Sequence, residues 1–251
     1  MSDSTERFSN RVQNYVKYRP GYPPEVLQLF QDEMNLQPTS VIADIGSGTG
    51  ISAKIFLENG CEVFGIEPNE AMREASKVFL QTLPKFYPIN GTAENTTLDN
   101  EQVDIIIAAQ AFHWFDKAKT RNEFRRILRE NGFIALIWNE RQLDSNEFLR
   151  GMEKLLIEFG KDYNQIRHDN ISEEMIADFF QTPFQKRSFQ NVQTLDYDGF
   201  KGRVLSSSYM PTEEDSRFGE MEKELSHLFT HFQKNDTIDI LYDTNIYFGQ
   251  Q

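Results

Sequence analysis

Little in this chain serves metal, disulfide or membrane chemistry. Its one cysteine, Cys61, excludes an intramolecular disulfide framework, and its four histidines are scattered without zinc-type spacing. No apolar run approaches the roughly 18–20 residues needed to cross a bilayer. The opening Met1-Ser2-Asp3-Ser4-Thr5-Glu6 is polar and mildly acidic and does not read as a signal peptide. Strong basic clusters are missing too, since 26 Lys and Arg stand against 39 Asp and Glu for a formal net charge of −13. Arg121, Arg125, Arg126 and Arg129 fall along one predicted helix, but acidic residues surround them and a solvated face is the better reading. Such a chain is a poor partner for nucleic acid or for an anionic membrane surface. The expectation is a metal-free cytoplasmic protein, monomer or homodimer, with no stable membrane association, acting on a small molecule.

What is present is a core. At 251 residues, 39% hydrophobic and with 21 Phe, the chain suits one large α/β domain with a cap. It is organised around Val41-Ile42-Ala43-Asp44-Ile45-Gly46-Ser47-Gly48-Thr49-Gly50. A β-branched apolar run predicts a buried strand, and the three alternate glycines let the backbone turn tightly and come close to a ligand. Ile51 to Leu57 then reads as a helix whose free amides point back at the loop.

The pattern repeats downstream. Cys61–Ile66 predicts a second strand closed by Glu67, and Pro68-Asn69 caps a helix with Met72, Ala75 and Phe79 on one face. Phe86–Ile89 is a weaker third strand, followed by Gly91-Thr92-Ala93-Glu94. Val103–Ala109 is a strong fourth strand leading into Gln110-Ala111-Phe112-His113-Trp114-Phe115. A helix is expected from Asp116 to Glu130, then a turn at Asn131-Gly132 and a fifth strand, Phe133–Trp138. Alternating strands and helices imply a doubly wound, mostly parallel, Rossmann-like sheet of seven strands, with ligand bound beyond the C-terminal strand ends.

Before this core, residues 1–36 predict an N-terminal lid and leading helix. Phe8, Val12, Tyr15 and Val16 fit a short amphipathic helix ahead of Tyr18-Arg19-Pro20-Gly21-Tyr22-Pro23-Pro24. The segment either packs its aromatics on the domain or presents Tyr15, Tyr18 or Arg19 to a ligand. Residues 37–144 form the cofactor-binding core. Residues 145–181 and 197–233 are expected to make a helical cap inserted between the later strands, with 184–195 and 237–249 closing the sheet.

The dinucleotide fingerprint G-x-G-x-x-G is missed by one residue, because the third glycine comes early and Ile51 stands in its place. No G-x-x-x-x-G-K-[ST] run occurs, which excludes a P-loop. Asp44–Gly50, Glu67 and Gly91-Thr92-Ala93-Glu94 together resemble the motifs of class I S-adenosylmethionine-dependent methyltransferases over about residues 38–140. Within that class, Tyr18–Pro23 and Ala111–Asp116 are similar to the type 11, trans-aconitate methyltransferase-like small-molecule group, as is Ser206–Pro211 more loosely.

The resemblance implies S-adenosyl-L-methionine as cofactor and S-adenosyl-L-homocysteine as product. It implies a cofactor-binding set of Asp44, Gly46, Ser47, Gly48, Thr49, Gly50, Glu67, Pro68, Met72, Ala93, Glu94, Gln110, Ala111 and Trp114. Glu67 would take both ribose hydroxyls, Glu94 the adenine amino group, and Asp44 the cationic end. Methyl transfer is an in-line displacement that needs alignment and exclusion of water. A carboxylate acceptor needs no base, whereas a phenol, amine or carbon acid would turn to His113. Arg19 and Arg203 would pair with an acidic substrate, and Tyr15, Tyr18, His113, Trp138 and Tyr209 complete the candidate acceptor site. The competing readings are methylation of a protein or a lipid or quinone-type acceptor, a non-catalytic cofactor-binding module, and, weakest, an NAD-linked oxidoreductase.

Overall fold

The computed structural model describes residues 12–161, 163 and 172–251. Phe8 of the expected N-terminal helix lies outside the described residues. Helices α1 (Val12–Tyr18) and α2 (Pro24–Glu33) lead into β1 (Val41–Ile45) and α3 (Ile51–Glu58). There follow β2 (Glu62–Ile66), α4 (Glu70–Phe79), β3 (Phe86–Ile89), β4 (Val103–Ala109), a 3-10 turn (Phe112–Trp114) and α5 (Lys117–Ile127). The rest comprises β5 (Leu128–Arg141), α6 (Glu147–Phe159), α7 (Glu173–Phe180), β6 (Gln185–Leu195), α8 (Tyr197–Leu205), α9 (Phe218–Phe232) and β7 (Ile238–Gln250).

The seven strands form one sheet in the order β3-β2-β1-β4-β5-β7-β6. β1 to β5 are parallel, while β7 runs antiparallel to both β5 and β6. Strand alternation sends Ile42, Ile105 and Ile107 to one face against Val26, Phe30 and Phe56, and Ala43, Ile106 and Ala108 to the other against Phe124 and Ile127. The order reverses beside β1, between β2 on one side and β4 on the other, so the C-terminal ends of β1 and β4 flank the crevice of a doubly wound sheet. Among the described residues no helix is long and apolar enough to cross a membrane.

Two elements differ from expectation. α5 stops at Ile127 and β5 already starts at Leu128, which pairs with Val103 before a shift in register toward Ile105↔Phe133. Asn131 takes φ 63 in the irregular stretch, so the expected turn is an irregularity inside one long strand. The stretch expected at 184–195 to close the sheet is one strand, paired with β7 residue for residue from Gln185↔Phe248 to Leu195↔Ile238. Finally, α7 falls within the stretch expected to be cap but packs on the sheet. Ile176, Phe179 and Phe180 join Phe112 and Phe124, with the Phe112 and Phe179 rings 4.7 Å apart. The separate apolar cluster of the cap draws on α6, α8, α9 and the first half of β7.

Candidate functional site

At the end of β1 the chain folds over its neighbour, as the Gly46 and Ser47 amides both donate to the Ile66 carbonyl, at 2.8 and 3.1 Å. Gly46 sits at φ +68, where a Cβ would come within 2.6 Å of the Ala111 Cβ, so no side chain fits. Gly48, at φ +54, is different: a Cβ there would meet nothing within 4 Å, because the loop faces open cavity.

Two polar groups of this loop lack partners. Asp44 is fully buried; its Oδ2 accepts from the Ser52 hydroxyl at 2.6 Å, while Oδ1 has no hydrogen-bond partner among the described residues. Burial pushes its carboxyl up to about 7, the Ser52 hydroxyl pulls it down, and the charge of Glu67 adds to the rise. Thr49 is 1% exposed and its hydroxyl is likewise unbonded. Buried polar groups normally find partners, and of these two residues Thr49 is the one that lines the cavity described below.

Glu67, at the end of β2, holds the loop from the other side. Its Oε2 accepts from the Gly48 amide at 3.0 Å and its Oε1 from the Asn69 amide at 2.8 Å. Burial raises its carboxyl above the usual range, opposed by those two amides.

β4 ends in a strained residue, Gln110 at φ 58, whose side-chain amide donates to the Asn139 carbonyl at 3.3 Å. The 3-10 turn after it is pinned from behind, since Lys117 Nζ donates to the carbonyls of Phe112 and Phe115 at 2.7 and 2.8 Å. His113 and Trp114 then face the cavity with ring centroids 4.7 Å apart, and Trp114 is 45% exposed.

The opposite wall comes from the N-terminal segment and the cap. Arg19 lies over the Tyr15 ring at 4.8 Å and donates to the Ser206 carbonyl at 3.2 Å, while its Nε is enclosed without a partner. Arg203 is buried, donating from Nε to the Tyr242 hydroxyl at 3.0 Å and from a terminal nitrogen to the Ser207 hydroxyl at 3.3 Å. Burial first, and then the charge of Arg203, depress the Arg19 guanidinium below its ordinary value. Among the described residues neither arginine has a carboxylate partner. By contrast Arg141, at the same cavity, is paired with Glu153 and donates to the Tyr163 hydroxyl at 3.0 Å.

Between these elements lies one cavity of about 820 Å³. It brings together Gly46, Ser47, Gly48, Thr49, Gln110, His113 and Trp114 with Tyr15, Arg19, Arg203 and Tyr209. Asp44, Gly50, Glu67, Pro68, Met72, Ala93 and Ala111 are not on its wall. Several stand one layer back: Met72 is buried with its amide capped by Asn69, and Ala111 lies against Gly46. Glu94 accepts from the Asp116 amide at 2.8 Å, beside the N-cap of α5.

Two expectations are corrected. Trp138 is 2% exposed and stacks edge-on to Phe112 and Tyr247 in the core, because strand alternation turns it into the α5 side while Asn139 takes the cavity. Tyr18 does not reach the cavity either. Its ring fills the place of the missing side chain at Gly202, where a Cβ would come within 2.1 Å, and so clips α1 to α8. Tyr22, Ser52, Asn139 and Tyr242 were not foreseen as site residues, yet all four line the cavity. Tyr22 carried a signal, standing inside the aromatic-proline motif; Tyr242 sits in a strand whose alternation fits plain core.

The donor set suits a cationic nucleoside. A buried carboxylate oxygen and a hydroxyl stand unbonded beside a loop with room at Gly48, and no lysine is needed for a phosphate. Residues 43–136 match the methyltransferase domain family. This stretch of the chain is a methyltransferase domain. An uncharacterized methyltransferase of Mycobacterium tuberculosis (strain H37Rv) is 33% identical over 167 residues, covering 66% of this chain and 63% of that protein, so the chain spans less than two thirds of the relative's length. A solved structure from Anaeromyxobacter dehalogenans, assigned as a type II methyltransferase, superposes with TM-score 0.67 at 19% identity over 93% of this chain and 98% of that one. Another from Methanococcus maripaludis, assigned as S-adenosyl-L-methionine-dependent, gives TM-score 0.57 at 16% identity over 74% and 91%. The fold of this methyltransferase domain is therefore α/β and Rossmann-like.

Proposed function

We propose that the protein transfers the methyl group of S-adenosyl-L-methionine to a small anionic acceptor, with a carboxylate as the attacking group. One observation carries the reading: Arg19 and Arg203 share a cavity with the glycine loop, and neither has a carboxylate partner among the described residues. Buried charges without counter-charge are costly, and two guanidiniums side by side repel, so the arrangement is relieved by an anion from outside.

In this reading the loop, Asp44 and Glu67 hold the donor, and the methyl group points toward the arginine side. A carboxylate oxygen attacks the methyl carbon as the carbon–sulfur bond breaks. The products are a neutral ester and the neutral thioether of S-adenosyl-L-homocysteine, and no proton moves. His113 and Trp114 serve as wall, excluding water and fixing approach. An acidic protein is no obstacle, because the charge that selects the acceptor is local to the cavity.

The test uses tritium-labelled methyl donor and a pool of small organic acids. Volatile label released by mild alkali marks a methyl ester and supports the reading. Label fixed in base-stable product, or on protein, overturns the carboxylate acceptor. No turnover with any pool, despite tight cofactor binding, favours a binding module.

A further inference from the structure

Residues 18–22 carry two groups of the cavity wall, Arg19 and Tyr22, yet among the described residues they make no main-chain hydrogen bond to the sheet. Side-chain amides hold them instead. Asn139 Nδ2, at the end of β5, and Asn191 Nδ2, in β6, both donate to the Gly21 carbonyl, at 3.0 and 2.9 Å. Gln193 Nε2, two residues on along the same face of β6, donates to the Tyr18 carbonyl at 2.9 Å.

The orientation of these amides is set by what their oxygens accept. Asn139 Oδ1 receives the buried Thr244 hydroxyl at 2.6 Å and Asn191 Nδ2 at 3.3 Å. Gln193 Oε1 receives the Tyr242 hydroxyl at 3.3 Å, and that hydroxyl in turn receives Arg203 Nε at 3.0 Å. One set therefore runs from the Tyr18 carbonyl through Gln193 and Tyr242 to the guanidinium of Arg203, and a second joins the Gly21 carbonyl to Asn139, Asn191 and Thr244. Such sets are stiff when every member is satisfied.

We propose that Asn139, Asn191 and Gln193 are positioning residues, which hold residues 18–22 so that Arg19 and Arg203 face the acceptor's anion as a pair. The inference rests on the acceptor reading above. Asn191 and Gln193 lie off the cavity wall, so they do not touch an acceptor themselves and act through the groups they hold.

The experiment reads the arginines directly and needs no acceptor. Wild type and Gln193→Glu, nearly identical in size but without the amide donor, are treated with phenylglyoxal, and modification at each arginine is followed by peptide mass spectrometry. Loss of the Tyr18 anchor should speed modification of Arg19 and Arg203 by roughly tenfold, the shift expected from losing one buried hydrogen bond. Affinity for S-adenosyl-L-homocysteine should stay within about twofold. Asn191→Leu, made in parallel, should show the same selectivity, and guards against a folding defect in either variant. Unchanged rates in folded variants would overturn the proposal, as would an equal acceleration at Arg141, which signals general loosening. Failure of wild type to bind S-adenosyl-L-homocysteine would sink the cofactor reading alone, since the labelling ratio does not depend on it.

Discussion

Glu67 Oε2 and the Gly48 amide are 3.0 Å apart, a hydrogen bond that ties the end of the second strand to the middle of the glycine loop. The carboxylate proposed to grip a ribose therefore also shapes the loop that the ribose lies on. Glu67→Ala should weaken S-adenosyl-L-methionine binding by about 10- to 100-fold, as expected for losing hydrogen bonds to a charged acceptor. It should also cost about 1–3 kcal/mol of stability, because the Gly48 and Asn69 amides lose their partner. Calorimetric titration and thermal unfolding separate the two losses.

Asp44 gives a pH dependence whose sign can be worked out. Unfolded, it titrates near 3.8; folded, burial lifts it to about 7. Between those values the native state holds the proton and the unfolded chain does not, so this group's contribution to stability falls as pH rises through the window and is flat above about 7. Asp44→Asn should raise the melting temperature of ligand-free protein more at pH 8 than at pH 5. It should also weaken cofactor binding most at pH 8, where the wild-type carboxylate is charged and the sulfonium benefits.

Two glycines of one loop should respond differently. Gly48→Ala has space for its methyl and should fold with a loss of about 1–2 kcal/mol from its left-handed backbone, yet bind cofactor poorly because the methyl stands in the cavity. Gly46→Ala adds a clash at 2.6 Å with Ala111 and should lose far more stability. Equal denaturant midpoints for the two variants would contradict this account.

Arg203→Met replaces a buried, unneutralised charge by an apolar chain of similar length. Stability should change little, since removing such a charge offsets its lost hydrogen bonds. Acceptor KM should rise by about 10- to 100-fold with cofactor affinity unchanged. A rise in cofactor Kd of the same size would place Arg203 on the donor side instead.

The glycine-loop side of the cavity was legible in the sequence because local chemistry dictates it. Alternate glycines after a β-branched run leave few conformations, and Asp44 and Glu67 close adjacent strands at a spacing only the parallel sheet explains. The opposite wall of the cavity was legible only in part. Arg19 and Arg203 lie 184 positions apart (203 − 19), and nothing local says they meet. Trp138 and Tyr18 were misread for a related reason. An aromatic beside a site serves equally as wall or as packing, and only the register of β5 and the gap at Gly202 decide. The amides of Asn139, Asn191 and Gln193 carry no sequence signal, being ordinary polar residues in strands until the N-terminal segment is laid across them.

The hydrogen bond from Asn191 to Gly21 closes a span of 170 residues. Loops that long are slow and entropically costly to close. During synthesis the glycine loop, Glu67 and the end of β4 can come together while the ribosome is still making the cap. Residues 18–22 precede β6 in the chain, and two of the three side-chain amides that hold them, those of Asn191 and Gln193, arrive only with that strand. A nascent chain would thus form the glycine-loop wall of the cavity before the wall to which Arg19 and Arg203 belong.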